Sequence, residues 1–154
     1  MFDLWYADWE AGDFHSVRLF DDFIHILLDD GASTCATCGK CGSYYVVKGD
    51  GSVYPCDFFA LDGWRLGKIG ESSLEELAAC DKAREFLAWG GSKPDECGVC
   101  RYSGICNGGC KNDWYHDSSG LHNYYCAAFK ALLDHALPHM MNIARAEMAA
   151  RKGL

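Results

Sequence analysis

Cys97-Gly98-Val99-Cys100-Arg101-Tyr102-Ser103-Gly104-Ile105-Cys106-Asn107-Gly108-Gly109-Cys110 is the stretch that decides how this chain folds, because it packs four thiols into fourteen residues. Cys126 follows sixteen residues later, and Cys35, Cys38, Cys41 and Cys56 form a second group upstream. Thiolates at such short, fixed gaps can converge on one metal centre with little ordering of the chain between them. The set is large enough for two four-thiolate sites, and iron–sulfur clusters are the natural occupants. The glycines within the run let the backbone wrap closely round a bulky object.

The ligand sets follow from position along the chain. Cys97, Cys100 and Cys106 make a closed group of four with Cys126, which returns on the first turn of a final helix. Cys110 is left over. In two-cluster ferredoxins the last cysteine of a run ligates the other centre, and the same logic sends Cys110 upstream to join Cys41 and Cys56. The fourth member of that group is Cys35 or Cys38; spacing does not choose. Zinc also takes four thiolates. However, this run is not a pair of separated Cys-x2-Cys knuckles, and no histidine stands at ligand spacing beside it. Cys80 falls outside both groups and reads as an ordinary packed thiol. The histidine pairs His116/His122 and His135/His139 read as structural rather than metal-binding.

Bulk properties narrow the function classes. The chain has 154 residues, 49% hydrophobic and 14% aromatic, which excludes bulk disorder. Its formal charge of −8 argues against a nucleic-acid backbone or an anionic membrane as main partner. No stretch approaches the roughly 20 apolar residues of a membrane helix. Met1-Phe2-Asp3-Leu4-Trp5 has neither the basic region nor the apolar core of a signal peptide. The expectation is a cytoplasmic, reducing setting, where close-set cysteines are ligands rather than disulfides.

The coarse pattern is α+β: a β-hairpin, short helices and cysteine-rich loops. Phe2, Trp5 and Trp9 recur at helical spacing up to Gly12. Phe14 to Phe20 reads as a short strand, and Asp21 or Asp22 as the cap of a helix through Leu28. These first elements have apolar faces with nothing local to cover them. A loop over 31–42 precedes a strand at Tyr44-Tyr45-Val46-Val47. Gly49-Asp50-Gly51 is a hairpin turn leading into Ser52-Val53-Tyr54. Pro55 makes that return strand an edge or ends it early. Ser73-Leu74-Glu75-Glu76 is a capping box for a helix through Ala79, and Asp81 caps another through Trp89. Asn123 caps the last helix, which Pro138 should kink or restart, leaving a fraying tail.

Asp57 stands out among the acidic residues, in Tyr54-Pro55-Cys56-Asp57-Phe58-Phe59. A carboxylate among these aromatics would be partly desolvated, which suits a proton acceptor. A turn residue or a hydrogen-bonding helper beside Cys56 fits the pattern equally.

Together these residues resemble the seven-cysteine signature of the SPASM domain, the C-terminal extension of many radical S-adenosylmethionine enzymes. Tyr54-Pro55-Cys56-Asp57, Leu66-Gly67-Lys68-Ile69, Cys106-Asn107-Gly108-Gly109-Cys110-Lys111 and Asn123-Tyr124-Tyr125-Cys126 are similar to the anaerobic sulfatase-maturating branch. The resemblance runs from about Phe2 to Pro138. It implies a segment 1–34 joining a radical S-adenosylmethionine barrel to a SPASM domain over 35–137, with a helical tail over 138–154. It implies two auxiliary [4Fe-4S] clusters, one on Cys35, Cys41, Cys56 and Cys110, the other on Cys97, Cys100, Cys106 and Cys126. Asp57 would be the general base, and a Cys or Ser of a sulfatase-like peptide the substrate, oxidised to formylglycine. The barrel's Cys-x3-Cys-x2-Cys triplet, with its own [4Fe-4S] cluster and S-adenosylmethionine, is not found in these residues. By themselves they are expected to bind clusters and relay electrons without cleaving S-adenosylmethionine.

Overall fold

In the computed structural model, which describes residues 1–42 and 44–153, the longest element is one that the sequence predicts to be broken. Helix α7 runs uninterrupted over Cys126–Lys152 with Pro138 inside it. An internal proline removes one backbone hydrogen bond and costs about 3 kcal/mol. Packing on both sides of it offsets that cost. Leu133, Ala136, Met140, Ile143 and Ala144 are buried along one face, at helical spacing across the proline.

Against that face lie α1 (Phe2–Glu10) and α2 (Arg18–Leu27). Phe2, Trp5, Phe20, Phe23 and Ile24 share one core with Leu133, Ala136, Met140 and Ile143, and Tyr102 joins them from the cysteine run. The apolar faces that look uncovered in the sequence are therefore covered from the far end of the chain. The tail does not fray either: the Arg151 guanidinium meets Asp30 at 2.6 Å. The expected strand over 14–20 does not form. Residues 13–17 are irregular, and α2 already starts at Arg18 with Val17 as its N-cap. The short alternation there loses to the three-to-four-residue spacing of Phe20, Phe23 and Ile24.

The middle of the chain is sheet and short helix. Strands β1 (Val46–Val47), β2 (Ser52–Tyr54) and β3 (Gly67–Lys68) form an antiparallel sheet in the order β1-β2-β3. Val46 pairs with Tyr54 across the predicted turn, where the Gly51 amide donates to the Lys48 carbonyl at 2.9 Å. β2 is the central strand, not an edge, and it stops at Tyr54 because Pro55 has no amide to continue the ladder. Two short helices flank the sheet in sequence: α3 (Cys35–Cys38), inside the segment predicted as loop, and α4 (Leu74–Ala79), which opens on the predicted capping box. Helix α5 (Asp81–Gly90) takes Cys80 rather than Asp81 as its N-cap; the Cys80 sulfur accepts from the Ala83 amide at 3.4 Å. Helix α6 (Ser103–Cys106) lies within the cysteine run. Strands β4 (Trp114–Asp117) and β5 (Gly120–Asn123) form a second hairpin. No described helix is long and apolar enough to cross a membrane.

Leu133 is fully buried where α7 meets the first two helices. Replacing it with alanine leaves a cavity, so Leu133→Ala is expected to destabilise the fold by about 3–5 kcal/mol, read as a lower denaturant midpoint.

Candidate metal centres

Cys97, Cys100, Cys106 and Cys126 line one narrow cavity of about 20 Å³, floored by Tyr102, Phe129 and Leu133. Each comes from a different kind of local structure. Cys97 sits in a 3-10 turn over Asp95–Val99, Cys100 directly follows it, Cys106 ends α6 and Cys126 opens α7. The second hairpin holds the turn in place. The Leu121 amide donates to Asp95 Oδ2 at 3.0 Å, and His122 Nδ1 lies 3.2 Å from Glu96 Oε2. Gly120 is obligatory there: its φ is +132°, and a Cβ would sit 2.0 Å from Asp95 Oδ2.

Between Cys106 and Cys110 the chain reverses. Asn107, Gly108 and Gly109 all have positive φ, and the buried Asn123 pins the reversal. Asn123 Nδ2 donates to the Gly108 carbonyl at 2.7 Å, and Trp114 Nε1 donates to the same oxygen at 2.8 Å. A Cβ on Gly109 would lie 2.7 Å from Asn123 Nδ2. Asn123 does not cap α7 as its position in the sequence suggests. Its Oδ1 accepts from the Tyr125 amide at 2.7 Å, one residue short of the helix.

The reversal carries Cys110 away from Cys106 and toward the upstream group. Cys35 and Cys41 line a second narrow cavity of about 20 Å³ with Asn107 and Trp114. Cys56 and Cys41 pack into a small core with Phe59, Phe86, Trp64 and Trp89. Cys110 is close enough to Cys41 and Cys35, and Cys35 to Cys41 and Cys56, for their charges to interact. Cys38 faces another way: its thiol donates to the Thr34 carbonyl at 2.7 Å, back into its own helix. Asn107 ties the two halves together, with its Nδ2 donating to the Thr37 carbonyl at 2.6 Å.

Burial governs the chemistry of both groups. It pushes the Cys35, Cys56, Cys97, Cys106 and Cys126 thiols above their ordinary range, with neighbouring cysteines adding to the effect at Cys35, Cys97 and Cys106. Cys110 is pushed up to about 11. Four buried thiolates together are costly unless positive charge stands among them, and a cationic metal core supplies it. Backbone amides are already aimed at the sulfurs. That of Tyr102 lies 3.4 Å from Cys100 Sγ, and those of Gly108 and Gly109 pull the Cys106 thiol down against its burial. All ten cysteines are unbridged. Among the described residues no three Cys, His, Asp or Glu side chains stand together as ligands of one metal ion. The Cys97, Cys100, Cys106 and Cys126 thiols ring one cavity instead, an arrangement that a core of several atoms can bridge and a single ion does not.

Asp57 is exposed rather than desolvated, a correction to the sequence reading. Its Oδ1 accepts from the Tyr44 hydroxyl at 2.8 Å and lies 3.2 Å from Cys56 Sγ, and these two bonds hold its carboxyl below the usual range. The histidines make ordinary contacts: His122 faces Glu96 and Asp117, and His135 faces Asp3.

Residues 35–106 match the SPASM family model, described as an iron–sulfur cluster-binding domain. Over that stretch the chain is similar to the SPASM family. It is 40% identical over 146 residues to a cysteine-type anaerobic sulfatase-maturating enzyme of Clostridium perfringens, covering 94% of this chain and 40% of that protein. The corresponding enzyme of Clostridium novyi is 33% identical, with 94% and 39% covered. A serine-type enzyme of Bacteroides thetaiotaomicron is 28% identical, with 91% and 34% covered. Among solved structures, native anSMEcpe with bound AdoMet and Kp18Cys peptide superposes with a TM-score of 0.87 at 38% identity, covering 94% of this chain and 41% of that one. The chain spans about two fifths of the length of the Clostridium relatives it matches.

Two buried charges escape sequence reasoning. Lys111 is 1% exposed, directly after Cys110. Asp22, also 1% exposed, clamps the loop before α3. Its Oδ1 accepts from the Ser33 amide and hydroxyl, both at 2.7 Å, and its Oδ2 accepts from the Thr34 and Thr37 hydroxyls at 2.5 and 2.7 Å. These bonds hold the Asp22 carboxyl well below the usual carboxylate range despite its burial. The only signal in the sequence is the hydroxyl run Ser33-Thr34-x2-Thr37, which needs an acceptor once buried. Asp22→Ala orphans these donors. It is expected to destabilise the protein by about 3 kcal/mol and to speed amide exchange at Ser33 and Thr34, while exchange around Cys97 stays unchanged.

Proposed function

We propose that this chain is the cluster-bearing part of a radical S-adenosylmethionine enzyme of the sulfatase-maturating kind, holding two [4Fe-4S] clusters. The observation that carries the reading is the gathering of sequence-distant cysteines into two groups, with Cys106 and Cys110 going to different ones. In this reading Cys97, Cys100, Cys106 and Cys126 hold one cluster, and Cys35, Cys41, Cys56 and Cys110 hold the other. The turn of Cys38 toward the Thr34 carbonyl supports Cys35 as the fourth ligand of the second set. When bound, the clusters supply one-electron acceptors beside the site of substrate oxidation. Zinc fits the cavities less well, because a tetrahedral site with Zn–S bonds of ~2.3 Å draws its sulfurs to within ~3.8 Å of one another.

The chain's own residues have two tasks. The cysteine loops fix the clusters in a buried, amide-lined setting, and Asp57 accepts the proton released as the substrate carbon is oxidised. Asp57 suits this by being exposed to an incoming peptide and oriented by the Tyr44 hydroxyl, a bond that favours its ionised form. The partners are then a radical S-adenosylmethionine barrel and a Cys- or Ser-bearing peptide of a sulfatase-like protein. The net charge of −8 speaks against nucleic acid, and the unbridged cysteines suit a reducing cytoplasm.

Anaerobic reconstitution is expected to load about eight irons per chain, two cubanes of four each. Cys97→Ala should remove about half of them and Cys38→Ala none. A colourless protein holding zinc alone overturns the reading. In an assembly with the complete catalytic machinery, Asp57→Asn is expected to keep both clusters and slow substrate oxidation by about 10²-fold or more. Unchanged turnover removes Asp57 from the base role.

A further inference from the structure

Lys111 has no task in the proposed chemistry, yet it occupies an unusual place. Its side chain leaves the backbone next to Cys110 and enters a box of aromatic rings. The Nζ lies 3.1 Å from the centroid of Phe86, 5.3 Å from that of Trp89 and 5.9 Å from that of Phe59. It donates one hydrogen bond, to the Phe86 carbonyl. Cys56 packs in the same small core as Phe59 and Phe86, with Cys41 and Trp89 against it.

Burying an ammonium is costly unless it is paired. Aromatic faces return part of that cost, but they carry no net charge. Among the described residues no carboxylate forms an ion pair with Lys111. The groups around it that can carry negative charge are the four thiols assigned above to one cluster: Cys110 is its neighbour in the chain, Cys35 and Cys41 line a cavity with it, and Cys56 packs against Phe59 and Phe86 of its box.

We propose that the caged Lys111 ammonium is the fixed countercharge of the cluster held by Cys35, Cys41, Cys56 and Cys110, and that it raises that cluster's reduction potential above what the thiolates alone would give. Net charge and buried dipoles around a cluster set its potential. A cubane with four thiolates gains a further negative charge on one-electron reduction. A neighbouring cation held in a dry aromatic box favours that gain, and the box prevents the cation from swinging out into water. Lys111 is thus a positioning residue of the electron path, not a ligand. The proposal rests on the two-cluster reading.

The test uses the reconstituted chain, with dithionite as reductant and both midpoint potentials followed by electron paramagnetic resonance. Cys97→Ala protein identifies the signal of the remaining cluster. Lys111→Gln retains a donor for the Phe86 carbonyl and removes the charge. It is expected to shift reduction of the hairpin cluster, the one on Cys35, Cys41, Cys56 and Cys110, unfavourably by about tenfold, about 59 mV for one electron, and to leave the other cluster unmoved. Lys111→Arg should retain the wild-type potential. An unchanged potential in a fully loaded Lys111→Gln protein overturns the proposal. If Lys111→Gln fails to load the hairpin cluster while Lys111→Arg loads it, charge is needed for assembly itself and the countercharge role stands. If both fail, shape rather than charge is what matters and the role falls. Four irons instead of eight in the wild-type protein reject the underlying two-cluster reading before Lys111 is altered.

Discussion

The backbone reversal between Cys106 and Cys110 is the constraint on which the rest depends. Three successive residues there occupy the left-handed region, two of them glycine, and the Gly108 carbonyl is held by both Asn123 and Trp114. A helical or extended path over the same residues would aim both sulfurs at one place or splay them apart. The reversal instead sends neighbouring cysteines to separate groups. It also brings Asn107 onto the Thr37 carbonyl, so the loop that divides the two centres also joins them.

Around that reversal, the scaffold is built from pieces too small to stand alone. Strands of two and three residues and four-residue helices have little stability of their own. What orders them is attachment to larger elements. Asp22, on α2, fixes the segment that leads to Cys35. The β4–β5 hairpin fixes Asp95 and Glu96 ahead of Cys97. The aromatic core of Phe59, Phe86 and Trp89 fixes Cys56. In each case a polar or aromatic anchor outside the ligand set determines where a sulfur points, which is how metal sites gain their geometry.

How much of this could be read from the sequence depends on the range of the interaction. The Asp-Gly turn, the capping box over Ser73–Glu76 and the first helix were legible because their signals lie within four to nine residues. The proposed groups of cysteines can be drawn from the sequence because thiols at fixed gaps admit few arrangements, and Cys110 stands out as the surplus member of its run. The unbroken α7 was not legible. Proline is a strong local signal, and the packing that overrides it comes from Phe2, Phe20 and Phe23, more than a hundred residues away. The β4–β5 hairpin was missed because β4 is almost wholly outside the core, so no apolar alternation marks it. Asp57 was placed in an apolar setting from its aromatic neighbours, whereas Phe58 itself is 58% exposed and the carboxylate points into solvent beside Tyr44.

Cys126 is the first residue of the same helix whose last turn is bound through Arg151 to Asp30. One rod therefore joins Cys126, a ligand in the proposed reading, to the N-terminal helices along its length. If that reading holds, a filled site would pin the first turn of the rod, so iron supply and the order of the scaffold would be linked.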